Sequence, residues 1–383
     1  MMHRRVLVDA SNLHTGGAVQ VAASFVDELS ALRDDARYPW LSTLHLELSP
    51  EVHANISVPL PPTSVTIASR RWWQVKYWLP RIRTKPYDAS FTLFGPEYGR
   101  RRAHRQICGF ADGASIFDAP DLPIEERPRR FAATAVKALR ARVSIALFAR
   151  VDRVIVESPR VATRLAERTG LPETQISIVP NALNGIFRRR SSWDRTAADE
   201  IPSTQSVKLC YISRGYPHKN HAVLPRIGEA LERLGHDVQF IVTLEHAEMA
   251  RLPQEAHRWL INLGPLPLRS LPPVYEASYA AIFPSLLESF SVAPLEALHA
   301  NGLLFASDRP FVRDVCEDNC IYFDPTSPSE AAATIASVLS DSGAELALRL
   351  KAREFSRSQF SARDRAQQYI DIIDSELNQP SLL

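Results

Sequence analysis

The chain has 383 residues, enough for two ordinary domains. Apolar residues make up 45% and charged residues 23%, a balance that excludes a disordered tail, a collagen-like chain and a disulfide-stapled miniprotein. Lys and Arg number 45 against 43 Asp and Glu, so the net charge of +2 does not suit a general nucleic-acid binder.

The N-terminus, Met1-Met2-His3-Arg4-Arg5, leads straight into Val6-Leu7-Val8-Asp9, without the apolar run and small-residue cleavage site of a signal peptide. No stretch reaches the roughly 20 apolar residues of a membrane-spanning helix. The expected location is cytoplasmic. Four cysteines make no disulfide framework, and Cys316 with Cys320 lacks a second ligand pair for zinc, so reduced thiols are expected.

Val6–Asp9 reads as a strand that ends in a polar loop, Ser11 to Gly17, with Gly16 and Gly17 at its close. Val21, Phe25 and Leu29, four apart, predict the helix that follows. Residues 69–105 then carry a net charge of +8 and residues 127–153 a net charge of +7, separated by a wholly acidic stretch. In the first basic stretch Arg70, Arg71 and Lys76 alternate with Trp72, Trp73 and Trp78. Such a mixture is either a solvated helix with its indoles in the core or a surface that meets an anionic bilayer. In the second, Val136, Leu139, Val143 and Leu147 predict a helix with that stripe buried and its arginines on the open face.

Further strands are predicted at Ser90–Phe94, Gln106–Phe110, Arg153–Glu157 and Gln175–Pro180, with a helix near Pro159–Arg168 capped by Ser158. A second alternating series has strands at 207–212, 238–242, 260–263, 280–283, 303–306 and 320–323, and helices near 222–234 and 294–300. A last helix is predicted over 362–377. The fold class is therefore α/β: two Rossmann-like, doubly wound parallel sheets, expected to face each other across a cleft. The boundaries read are a first domain over 1–187, a polar linker over 188–206, a second domain over 207–361 and a terminal helix over 362–383 returning toward the first domain.

Chemistry concentrates in the second series. Ser213-Arg214-Gly215-Tyr216-Pro217-His218-Lys219-Asn220 follows its first strand, and a planar guanidinium with an ammonium five residues on suits a diphosphate. An ordinary basic loop is the competing reading. Farther on, Glu288 and Glu296 bracket Ser289-Phe290-Ser291-Val292 at a turn before a helix, where backbone N–H groups can cradle phosphate. Glu296 can accept from vicinal ribose hydroxyls and Glu288 from sugar hydroxyls, although Glu288 also reads as a capping carboxylate.

Taken in order, these motifs resemble the retaining nucleotide-sugar glycosyltransferases of family 4, the glycosyl transferases group 1, with the GT-B fold. The resemblance runs through Gly16-Gly17, Val151–Ser158, Ile178–Asn181, Arg214 with Lys219-Asn220, Leu263–Leu266, Tyr275, Phe283–Ser285, the glutamate pair, Ala306–Asp308 and Tyr322–Pro325. It implies that the first domain serves the acceptor and the second the nucleoside-diphosphate sugar. Arg214 and Lys219 would neutralise the pyrophosphate, and Glu296 would bind ribose. Glu288 with the Ser289–Ser291 backbone would hold the sugar, and Leu266 with its strand end would lie against the base. Gly16 and Gly17 would let the first-domain loop approach the phosphates. It further implies retention through front-face displacement, no metal and no cofactor, in keeping with the lack of any Asp-x-Asp.

One departure stands out. Where many members carry His-Asp after a first-domain strand, this chain has Ala111-Asp112, so Asp112 or His14 is left as the first-domain candidate. The function expected is transfer of a hexose-type sugar to a glycan or lipid-linked acceptor in surface polysaccharide, lipopolysaccharide or glycolipid synthesis. Peripheral contact with the inner face of the plasma membrane would run through the Arg70–Trp78 patch. The alternatives are a non-catalytic nucleotide-sugar-binding subunit and a nucleotide-sugar epimerase or hydrolase of the same fold.

Overall fold

A computed structural model describes residues 4–60, 65–68, 86–97, 102–117 and 131–379, without the side chains of residues 131–137, 342 and 344. The Arg70, Arg71, Trp72, Trp73, Lys76 and Trp78 patch lies outside the described residues. The chain forms two compact units. One is built from Met1–Asp118, Pro128–Asn184 and Phe360–Leu383, and the other chiefly from Gly185–Gln359.

The first unit holds a parallel sheet of β1 (Val6–Ala10), β2 (His45–Leu48), β3 (Val65–Ile67), β4 (Tyr87–Thr92), β5 (Ala103–Gly109), β6 (Arg153–Val156) and β7 (Ile176–Ile178). Their spatial order is β3-β2-β1-β4-β5-β6-β7, so chain direction across the sheet reverses between β1 and β4. The helix Gly16–Leu32 buries Val21, Phe25 and Leu29, as their spacing predicts. Strands β2 and β3 went unread in the sequence because four and three residues show too little alternation to register.

The helix Ala362–Asn378 belongs to this same unit and packs on Gly16–Leu32. Ser361 and Asp364 cap it reciprocally, Asp364 N–H donating to Ser361 Oγ at 3.2 Å and Ser361 N–H to Asp364 Oδ2 at 3.0 Å. Its Tyr369 ring meets those of Phe25 and Phe91, each with centroids 5.1 Å away. Buried Arg365 donates to Ser24 Oγ and Asn181 Oδ1 at 3.0 and 2.5 Å.

The helix Phe131–Phe148 exists, but its predicted buried stripe does not. Leu139 is 61% exposed and Val143 46%, and the side turned inward carries Ser144 and Phe148. The Phe148 ring sits edge-on against Phe110, centroids 4.9 Å apart, and this aromatic contact fixes the helix rotation instead of the aliphatic stripe. Val136 falls among the side chains outside the described set.

The second unit holds β8 (Val207–Tyr211), β9 (Val238–Val242), β10 (Leu260–Asn262), β11 (Ala280–Phe283), β12 (Leu304–Ser307) and β13 (Ile321–Phe323). All pair in parallel, in the order β10-β9-β8-β11-β12-β13. The switch of direction falls between β8 and β11. Residues 188–206, read as a linker, include the short helix Thr196–Asp199. It buries Ala197 and Ala198 and packs on the helix Leu271–Ala277 within this unit.

Candidate functional site

In an open parallel sheet, the crevice for a ligand lies beyond the carboxyl ends of the strands at the switch point. In the second unit the loop after β8 carries Arg214 and Lys219, and the loop after β11 carries Glu288 through Val292. The two motifs singled out in the sequence thus come from the two strands that flank the switch.

Their loops are fastened together by the backbone. Leu286 N–H donates to His218 O at 2.8 Å, and the Tyr211 hydroxyl donates to Lys219 O at 3.0 Å. Asn220 lies in the left-handed region, φ 59°, after the single turn Pro217–Lys219. Its side-chain amide, buried, donates to Pro325 O at 3.0 Å and Pro284 O at 3.3 Å, tying the loops after β8, β11 and β13. Sequence reading placed Asn220 in the motif without this role. Asparagine tolerates positive φ better than most residues, which is the signal it offers.

Lys219 and Glu288 meet directly, Nζ to Oε1 at 2.5 Å, with both side chains mostly buried. Ser285 Oγ lies 2.7 Å from the same carboxylate oxygen. Glu288 is therefore the counter-ion of the ammonium proposed for phosphate. Arg214 is paired as well: Nη2 lies 2.7 Å from Glu245 Oε1, and Nε donates to Glu248 Oε1 at 3.2 Å. These acids follow β9 and carry no motif of their own; only the parallel pairing of β8 with β9 brings the loops together.

Ser289–Val292 lead into the helix Ala293–Ala300, whose Val292 cap contributes no side-chain bond to the first-turn N–H groups. Ser289 and Ser291 are buried, while Phe290 and Val292 are partly exposed. Glu296, in the first turn, is 4% exposed, and the Tyr275 hydroxyl donates to it at 3.4 Å. Burial pushes its carboxyl up to about 7, against the opposing pull of the Tyr275 hydrogen bond and the Lys219 charge.

Leu266 is partly exposed in the loop after β10, which Asn262 pins to Leu244 by donating to its carbonyl at 3.0 Å and accepting its N–H at 2.9 Å. Gly16, Gly17 and Asp112 belong to the first unit. Gly16 opens its helix at φ 70°, a conformation that calls for glycine, and Asp112 is exposed beyond the end of β5. His14 Nδ1 lies 2.9 Å from Glu51 Oε2. A cavity of about 450 Å³ lined by Ile56, Leu60, Val65 and Ile67 lies at the β3 edge of the first unit and contains none of these residues. Among the described residues no group of three or more His, Cys, Asp or Glu could hold a metal ion, and no helix is long and apolar enough to cross a membrane.

Residues 195–357 match the family model described as Glycosyl transferases group 1. Among curated proteins, the phosphatidylinositol N-acetylglucosaminyltransferase GPI3 subunit of Saccharomyces cerevisiae is 27% identical over 187 residues, covering 47% of this chain and 41% of that protein. The match thus spans about two fifths of the length of the curated relative. A glycosyltransferase of Rickettsia africae has a similar structure (TM-score 0.64, 14% identity, 99% of this chain and 100% of that one). So does HepE of Anabaena in complex with UDP-glucose (TM-score 0.64, 14% identity, 97% and 100%). The sucrose-phosphate synthase of Thermosynechococcus elongatus gives a TM-score of 0.66 at 14% identity over 97% and 98%. The fold is GT-B, two Rossmann-like parallel-sheet domains.

Proposed function

We propose that this GT-B chain, with its glycosyl transferases group 1 match over residues 195–357, moves a hexose-type sugar from a nucleoside-diphosphate sugar to a glycan or lipid-linked acceptor. The carrying observation is that Arg214 and Lys219 follow β8 while Glu288 and Glu296 follow β11, the two strands that flank the switch point, with Lys219 paired to Glu288 and the Ser289–Val292 backbone leading into a helix N-terminus. Relatives lend support: one solved neighbour was captured with UDP-glucose, and the yeast relative is named an N-acetylglucosaminyltransferase subunit.

In this reading the guanidinium of Arg214, the Lys219 ammonium and the N–H groups before Ala293 receive the diphosphate. Glu296 accepts from ribose hydroxyls, Leu266 packs against the base, and Glu288 accepts from the sugar while holding Lys219. The bond from the sugar's anomeric carbon to the departing phosphate breaks as the acceptor oxygen adds to the same face. The acceptor's proton passes to the phosphate oxygen that leaves. Charge grows on that oxygen, and Lys219 and Arg214 stabilise it most where it is largest. No metal or cofactor takes part in the proposed reaction. Gly16, Gly17 and Asp112 are the first-unit groups proposed to assist. A lipid-linked acceptor in polysaccharide or glycolipid synthesis would put the enzyme at an anionic membrane surface, a contact that vesicle binding measures.

The test is a thermal-shift panel of UDP, GDP, dTDP, ADP and CMP in EDTA, with Glu296→Ala alongside. One nucleoside diphosphate should raise Tm in the parent and not in the variant. Silence across the panel overturns the reading. Release of free sugar from the matching donor, unaffected by any acceptor, would instead favour the hydrolase.

A further inference from the structure

The two cations at the switch point are not held alike. Among the described residues Lys219 makes one ion pair, whereas Arg214 makes two, both on a single short element: Glu245, just before the helix His246–Met249, and Glu248 within it. Glu248 is 7% exposed and uses both oxygens. Oε2 accepts the N–H of Glu245 at 2.9 Å, and Oε1 accepts Arg214 Nε at 3.2 Å. The next residue after Arg214 is Gly215, and a Cβ there would come within 2.8 Å of Glu248 Cβ and 3.0 Å of its Cγ. Glycine is what lets the Arg214 backbone run against the buried carboxylate. Glu245 differs: its side chain is 48% exposed and takes Nη2, the terminal nitrogen on the same side of the guanidinium as the Nε hydrogen, at 2.7 Å.

We propose that Glu248 is a positioning residue that fixes the direction of the Arg214 guanidinium, while Glu245 competes with the anionic ligand for its Nη2 donor. The proposal rests on the reading of Arg214 as a diphosphate contact. A guanidinium offers five N–H donors in a rigid fork, so anchoring Nε aims the rest. Glu248 spends one donor to orient the remainder. Glu245 occupies a donor that the diphosphate must win, which weakens the bound nucleotide and speeds its release after transfer.

Coulomb's law alone predicts that removing either acid tightens anion binding, since both deletions make the site more positive. The proposal predicts opposite signs. With the nucleoside diphosphate that gives the largest thermal shift among UDP, GDP, dTDP and ADP as the calorimetric probe, Glu245→Gln should tighten binding roughly threefold. Glu248→Ala should weaken it about tenfold despite the lost negative charge. In a double-mutant cycle the Glu248→Ala effect should vanish once Arg214 is already Ala. A fall in turnover limited by product release should accompany Glu245→Gln, and a fall in kcat/KM should accompany Glu248→Ala. Glu248→Gln, which keeps one acceptor oxygen, should lie between Glu248→Ala and the parent and serves if the alanine variant does not fold. Weakening by Arg214→Ala without weakening by either Glu248 variant overturns this proposal alone. No weakening by Arg214→Ala overturns the diphosphate reading of Arg214 and this proposal with it.

Discussion

Glu296 is the residue at which function and stability pull apart most clearly. Its carboxyl is buried, the hydrogen bond it accepts from Tyr275 is a long one, and its folded pKa is raised from 4.5 to about 7. The folded chain therefore favours the protonated form. The stabilising contribution of this group is complete below about 4.5 and is lost as pH rises through about 7. Glu296→Gln abolishes that loss, so the variant should gain on the parent between pH 5 and pH 8 by about 3 kcal/mol. Urea denaturation at the two pH values checks this, and an unchanged gap would mean an ordinary carboxyl. If ribose hydroxyls donate to the ionised form, as proposed, nucleotide affinity in the parent should climb over the same interval by a component that Glu296→Gln lacks. The glutamate spacing and the helix after it were legible in the sequence. The burial that raises the pKa was not, because it depends on Tyr275 arriving from the helix Leu271–Ala277. Glu245 and Glu248 escaped notice for the same reason: they touch Arg214 only across two paired strands.

Among elements, strands with strong apolar runs were read nearly to the residue: β9 and β11 match the predicted 238–242 and 280–283. The short β2 and β3 were missed, and the helix Phe131–Phe148 was found but rotated wrongly. A stripe of aliphatic residues names a helix, but it does not say which side is buried when Phe148 offers a larger ring on another. Leu139 and Val143, one turn apart, face outward beside exposed Arg140, Arg142 and Arg150, and no acid occurs between Phe131 and Arg150. Exposed apolar side chains framed by arginines suit the interface of an anionic bilayer, where the aliphatic groups enter and the guanidinium groups meet phosphates. Replacing both Leu139 and Val143 by Glu should reduce sedimentation with phosphatidylglycerol vesicles at least about tenfold, since each change removes apolar contact and adds like charge to the lipid. Nucleoside diphosphate binding should not change. Equal sedimentation of parent and variant retires this helix as the membrane contact.

At the level of the whole molecule, the chain closes by returning to its beginning. Phe360–Leu383 completes the first unit, although the entire second unit separates it in sequence from the strands it covers. The terminal helix places Ala366, Tyr369, Ile370 and Ile373 in the core of the first sheet and buries Arg365 on Ser24 and Asn181. The apolar periodicity of 362–377 foretold a helix, and its docking partner follows from the two-ring contact of Tyr369 with Phe25 and Phe91. The residues proposed to bind the donor at the switch point, Arg214, Lys219, Leu266, Glu288 and Glu296, in contrast to Gly16, Gly17 and Asp112, lie in the second unit, whose sheet and loops are bonded within Gly185–Gln359. Damage to the terminal helix should therefore act on one unit only. Tyr369→Ala deletes a 2% exposed ring from a packed cluster and should cost about 3–5 kcal/mol in the first unit. In urea, the transition reported by first-unit fluorophores such as Trp40 should move to lower concentration, while the transition that a nucleoside diphosphate shifts should stay in place. Affinity for the nucleotide, measured by calorimetry below the first transition, should remain within about twofold of the parent because the altered side chain contacts no part of that site. A parallel loss of nucleotide affinity would instead mean that the second unit owes its site to the integrity of the first.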